Sequence, residues 1–175
     1  LVAKEAADRI EISYLRRCID RPSKHSDIGK WVSAHFDGRI LLHDRALSML
    51  SQRESRDVDI TLLCDALDFL GTDYWETVFG SLSQENMLNN CSLKYQRPFS
   101  VAPIQDRTIA HTTTQYHIPY ADKPNAKEKM HPLKLHLKVR NDSASLLRIY
   151  FFLDKRRQLI VIGSLPHHLK TITSF

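Results

Sequence analysis

Three apolar runs near the carboxyl end, joined by two short polar connections, constrain this chain more than any other feature. They are PLKLHLKVR (132–140), LLRIYFFL (146–153) and QLIVIGSL (158–165). β-Branched and aromatic residues dominate the last two, and the first alternates apolar with basic. The intervening NDSAS and DKRRQ are too short for a crossover, so the three runs form an antiparallel meander. Along the first run, Leu133, Leu135, Leu137 and Val139 are expected on one face, and Lys134, His136, Lys138 and Arg140 on the other. Ile149, Phe151 and Leu153 share one face of the second; Arg148, Tyr150 and Phe152 share the opposite one.

Upstream of residue 93 the spacing is helical. Residues 3–19 place Ala3, Ala6, Ala7, Ile10, Tyr14 and Cys18 near one helical face, ended by Pro22. A second helix is expected over 40–53, with Leu42, Ala46, Met49 and Leu50 in phase. A third follows Asp59 and stops at Gly71. A fourth starts at Asp73, with Glu76 three residues on as in a capping box, and runs to about residue 90. From residue 93 onward, PFSVAPI (98–104) and RTIAHTTTQYHI (107–118) also read as strands. ADKPNAKEKMHP (121–132) reads as a long mobile loop. The expected fold is α+β. A helical, acidic region over 1–92 packs on a small antiparallel sheet over 93–175, and the two can form one compact unit.

Charge follows the same boundary. Of 25 basic and 20 acidic side chains, 14 and 5 lie in residues 94–175, leaving 11 and 15 in the front stretch. A basic back half suits a polyanion, RNA above all. Apolar residues make up 42% of the 175, enough for a folded core, and no apolar run is long enough for a membrane span. The chain opens on Leu rather than Met, as a fragment or processed product would, and on no secretory signal pattern. Cys18, Cys64 and Cys91 are odd in number and far apart, which argues against a disulfide framework and for a cytoplasmic protein. Nucleotide-binding loops of the GxGxxG and GxxxxGK[ST] types are absent, as are GxSxG and HExxH.

The candidate chemistry sits in the basic half. Lys134, His136, Lys138 and Arg140 recur at about 7 Å, close to the phosphate spacing of a single strand. Arg148 lies in an apolar strand, where a charge needs a partner or a wet groove, and its fork suits a phosphate. GSLPHHLKT displays His167, His168 and Lys170 after the last strand. The histidines suit proton transfer near neutral pH, since no acid or thiol cluster accompanies them to complete a metal site. Arg107, His111, Tyr116, Lys155 and Arg156 are further candidates for RNA contact. Neither a metal nor a cofactor is expected.

The order LHLKVR, NDSAS, LLRIYFFL, DKRRQ, LIVIGSLPHHLKT resembles the RelE/HigB/ParE toxin superfamily over about residues 98–172. The resemblance implies helices followed by an antiparallel sheet, and metal-independent RNA cleavage by attack of the RNA's own 2′-hydroxyl. By position, His136 and Lys138 fall where the ribonucleases of the family carry paired strand lysines, and Arg148 falls on the arginine that contacts the cleaved phosphate. His167, His168 and Lys170 fall in the segment that supplies acid and base groups. The family further implies RNA, free or on a ribosome, as substrate, and an antitoxin or other protein partner, here through the helical half. Three other readings use the same residues differently: an RNA- or nucleoprotein-binding module without catalysis, a toxin directed at a protein such as gyrase, and an interaction domain of a larger assembly.

Overall fold

The computed structural model describes residues 1–111, 114–139 and 146–169. Helices α1 (Val2–Ile19), α2 (Ile28–Phe36), α3 (Asp44–Ser51), α4 (Ile60–Phe69), α5 (Trp75–Val78) and α6 (Gln84–Tyr95) come from the front half, and the short α7 (Asp106–His111) from the back. Strands β1 (Ile40–Leu42), β2 (Ser100–Pro103), β5 (Leu135–Val139), β6 (Leu147–Asp154) and β7 (Leu159–Ser164) form one sheet in the order β1-β7-β6-β5-β2. Strands β3 (His117–Tyr120) and β4 (Lys129–Pro132) form a separate antiparallel hairpin.

The meander β5-β6-β7 is antiparallel, as the alternation of its residues dictates. The sheet as a whole is mixed rather than antiparallel, because β1 pairs with β7 in parallel. This overturns the helix expected from residue 40. Ile40–Leu42 is a strand, and α3 begins only at Asp44, after His43 accepts the amide of Arg45 through Nδ1. Leu42 is in phase with Ala46 and Leu50, but pairing with a strand 120 residues away overrides that local periodicity.

Two apolar clusters sit on the two faces of the sheet. The larger packs α2, α3, α4 and α6 against Leu137, Val139, Ile149, Phe151, Ile160 and Ile162, so it draws on both halves of the chain. The smaller joins Tyr116, Ile118, Tyr120 and Leu133 to Tyr150, Phe152 and Val161. Leu133 therefore packs on the face opposite Leu135 and Leu137, against the alternation expected from residue 133. The chain changes sheets there: the amide of Leu133 donates to Tyr116, the carbonyl of Lys134 accepts from Ile104, and regular pairing starts only at Leu135.

Other expectations change for local reasons. Gly71 does not stop the third helix, which continues through a wide turn at Leu70–Tyr74 into α5. Gly71 is buried against Phe36, where a Cβ would lie 2.5 Å from the ring, so contact between helices and not termination requires glycine there. Asp73 caps nothing. It is buried and pairs with Lys94 at 2.6 Å, while Ser83 caps α6 by accepting the amide of Asn86. Helix α2, not anticipated, buries Ile28, Trp31, Val32 and Phe36. Residues 106–111 are helical rather than extended, and the expected loop over 121–132 is irregular only as far as residue 128, since Lys129–Pro132 pair with β3. The NDSAS connection lies outside the described residues.

Helix α1 buries no residue fully and is held by charge. Arg17 bonds Asp68 at 2.6 Å, Arg21 bonds Asp65 at 2.7 Å, and the Tyr14 hydroxyl donates to Asp65 at 2.8 Å. Asp68 is fully buried and is also met by Lys94 and the hydroxyl of Tyr95. Among the described residues no helix is long and apolar enough to cross a membrane.

Candidate functional site

The face of β5 and β6 away from the helices carries two cross-strand pairs, Lys138 opposite Arg148 and His136 opposite Tyr150. Directly opposed side chains have Cβ atoms about 5 Å apart, and like charges so placed repel unless an anion sits between them. Above these pairs opens a cavity of about 390 Å³. Its walls are His136, Lys138 and Tyr150 from the strands, His168 from the segment after β7, residues 102–105, Arg107 and Thr108 of α7, and Tyr116. Among the described residues no carboxylate lines it. Two imidazoles, the ammonium of Lys138 and the guanidinium of Arg107 thus share one concavity, an arrangement that suits an anion.

His136 is half-buried, and its Nδ1 is buried without a hydrogen-bond partner among the described residues. Burial first, then the charges of Lys138, Arg148 and His168, hold its imidazolium pKa down to about 4. Burial and Arg148 lower that of His168 as well. Both rings are consequently shifted toward the neutral, proton-accepting form. Arg148 is fixed beside them, its Nη1 donating to the carbonyls of Val139 and Leu147 at 3.2 and 3.0 Å.

Two buried tyrosines fix the segment that bears His168. The hydroxyl of Tyr150 accepts the amide of Leu169 at 3.1 Å, and that of Tyr116 donates to the Leu169 carbonyl at 3.5 Å. The two rings meet edge to face at 5.5 Å. Tyr116 is 1% exposed, so it is a wall of the cavity rather than the base-stacking surface expected of it. Its loop is clamped from below by Arg45, whose guanidinium donates to the carbonyls of Gly163, Thr114, Gln115 and His117. Arg45 and the two tyrosines lie in stretches that read as core or helix, and only the buried hydroxyls of Tyr116 and Tyr150, each needing a partner, hinted at them.

The remaining candidates separate. His167 turns away from the cavity and bonds the carbonyl of Glu54 at 2.6 Å through Nε2. Lys134 and Lys155 line a second concavity of about 380 Å³ with His131 and Phe152. Arg156 donates twice to the carbonyl of Asp122. Arg140, Lys170 and the side chain of His111 lie outside the described residues. Among the described residues no three His, Cys, Asp or Glu side chains gather as a metal site would need.

Comparison with protein-family models, with curated proteins and with solved structures finds no match to this chain.

Proposed function

We propose that this chain is a metal-independent endoribonuclease of the RelE toxin type. One observation carries the reading: His136, Lys138 and His168, with Arg148 beside them, converge on a cavity with no carboxylate among the described residues of its walls. A scissile phosphate fits between Lys138 and Arg148. His136, held neutral, accepts the proton of the 2′-hydroxyl, and the 2′-oxygen then bonds to the adjacent phosphorus. Lys138 and Arg148 stabilise the extra negative charge of the five-coordinate transition state. The bond from phosphorus to the 5′-oxygen breaks, and His168 gives that oxygen a proton. Burial and the charge of Arg148 lower the His168 pKa, and the negative charge of the bound phosphate opposes that shift, which restores the proton it needs. The products are a 2′,3′-cyclic phosphate and a 5′-hydroxyl.

The test is incubation of a long unstructured RNA with the protein in chelator, with and without ribosomes, followed by analysis of the ends. Cyclic phosphate termini are expected, with His168→Ala lowering the rate about 10²- to 10⁴-fold, as loss of a general acid does. A second reading rests on the depressed histidines, which leave the free protein poor in ready acid: a module that grips RNA without cutting it. Salt-sensitive binding with no product in any of these incubations would favour that reading and end the nuclease proposal.

A further inference from the structure

Strand β1 is an edge of the sheet, and its outer side is open. The carbonyl of Arg39 accepts from Ile160 at 2.8 Å, and the amide of His43 donates to Ile162 at 2.9 Å. The odd-numbered residues therefore face β7, and the amides and carbonyls of Ile40 and Leu42 point the other way. They open into a cavity of about 800 Å³ that runs along the strand, with α2 as its other wall. An exposed strand edge invites a further strand, and although β1 is only three residues long, Ile-Leu-Leu includes no proline, lysine or bulge to turn one away.

We propose that the occupant of this edge is a second copy of the same chain, paired antiparallel about a two-fold axis through Leu41. With Leu41 on the axis, Ile40 of one copy lies opposite Leu42 of the other. Each such pair exchanges two hydrogen bonds, so the four outward groups of each β1 are satisfied and the two sheets become one. The flanking helices obey the same symmetry. Lys30 and Asp37 are exposed, line the groove and lie at opposite ends of it, seven residues apart along α2 and the turn that follows. The two-fold operation brings Lys30 of each copy to Asp37 of the other, a self-complementary arrangement of charge. Ser33, small and exposed between them, leaves room for the two helices to approach. This inference does not depend on the ribonuclease reading, because the edge and the cationic cavity are separate sites.

Sedimentation velocity over a range of protein concentrations tests it. The expected result is a species of twice the monomer mass, with amide exchange at Ile40 and Leu42 slowing as concentration rises. Lys30→Asp and Asp37→Lys, both at exposed positions, should each weaken association about tenfold or more while circular dichroism stays unchanged, and the double exchange should restore it. A monomer at every concentration overturns the proposal and leaves the edge to an extended segment of another protein. Failure of the folded double variant to recover association overturns it equally.

Discussion

His136 faces Lys138, Arg148 and His168 from a half-buried position, and its proton is correspondingly hard to keep. Its ordinary pKa of 6.5 falls to about 4 in the folded chain. At pH 7 neither the folded nor the unfolded state protonates it appreciably, and it costs nothing. Between 6.5 and 4 the unfolded chain binds the proton and the folded one does not, so stability falls as pH falls through that window. His168 adds to the loss in the same direction. Urea midpoints measured from pH 7 to pH 4 should therefore drop more steeply for the native chain than for His136→Gln. Equal slopes would mean that the ring is not desolvated among cations. Anion binding reverses the balance: phosphate in the cavity should be accompanied by proton uptake, seen as a rise in the imidazole midpoint followed by NMR. Tyr150→Phe tests the neighbouring contact. It removes the acceptor of the Leu169 amide, which should cost about 1 kcal/mol of stability. RNA cleavage or binding should fall by more than that loss explains, because the segment bearing His168 is no longer pinned.

The elements that were readable in the sequence were those whose residues answer to one local rule. Strands β6 and β7 are flanked by short polar stretches and dense in β-branched and aromatic residues, and Arg148 and Tyr150 could be assigned to one face from spacing alone. That His136 and Lys138 share one face follows from the same parity in β5. The choice of His168 over His167 does not, since it depends on a bond to Glu54, 113 residues away. Strand β1 was unreadable because its parallel partner is equally remote, and Leu133 was misplaced because the chain changes sheets at a residue that continues the alternation. Gly71 shows the same limit in a helix: a glycine after an apolar run reads as a stop, and the face of Phe36 that demands it is distant in sequence. Gly71→Ala should cost about 1–3 kcal/mol, as overpacking of a close contact does, measured by chemical denaturation. The charge clamp on α1 is also tertiary. Asp68 lies in an apolar helix, fully buried, and serves Arg17, Lys94 and Tyr95 at once. Asp68→Ala leaves Arg17 without its partner, the Tyr95 hydroxyl without its acceptor and Lys94 with Asp73 alone, and should cost about 3–5 kcal/mol, with α1 losing amide protection first.

Across the whole molecule, the uneven charge of the two halves becomes a division between the faces of the sheet. Several acids of the front half are consumed within the helical layer: Asp65 by Arg21, Asp68 by Arg17 and Lys94, Asp73 by Lys94, and Glu76 by Arg39. Asp154 of β6 is likewise taken by Arg157. The helices of the front half cover one face of the sheet, the cavity opens on the other, and among the described residues no carboxylate reaches its walls. The net positive charge thus acts outward from the site. Affinity for single-stranded RNA should accordingly fall linearly in log salt, with a slope of about −0.7 for each phosphate neutralised. Lys138→Ala should flatten that slope by about one such increment at pH 7.5. His168→Ala should flatten it only to the extent that the ring takes up a proton on binding, and so by less than Lys138→Ala does at pH 7.5. The two variants separate the electrostatic grip of the cavity from its proton chemistry: a protein that merely holds RNA needs the first, and one that cuts it needs both. Fluorescence anisotropy with a labelled oligonucleotide at four or more salt concentrations measures the slopes. A slope insensitive to Lys138 would mean that RNA lies elsewhere, with the second concavity at Lys134 and Lys155 as the next place to look.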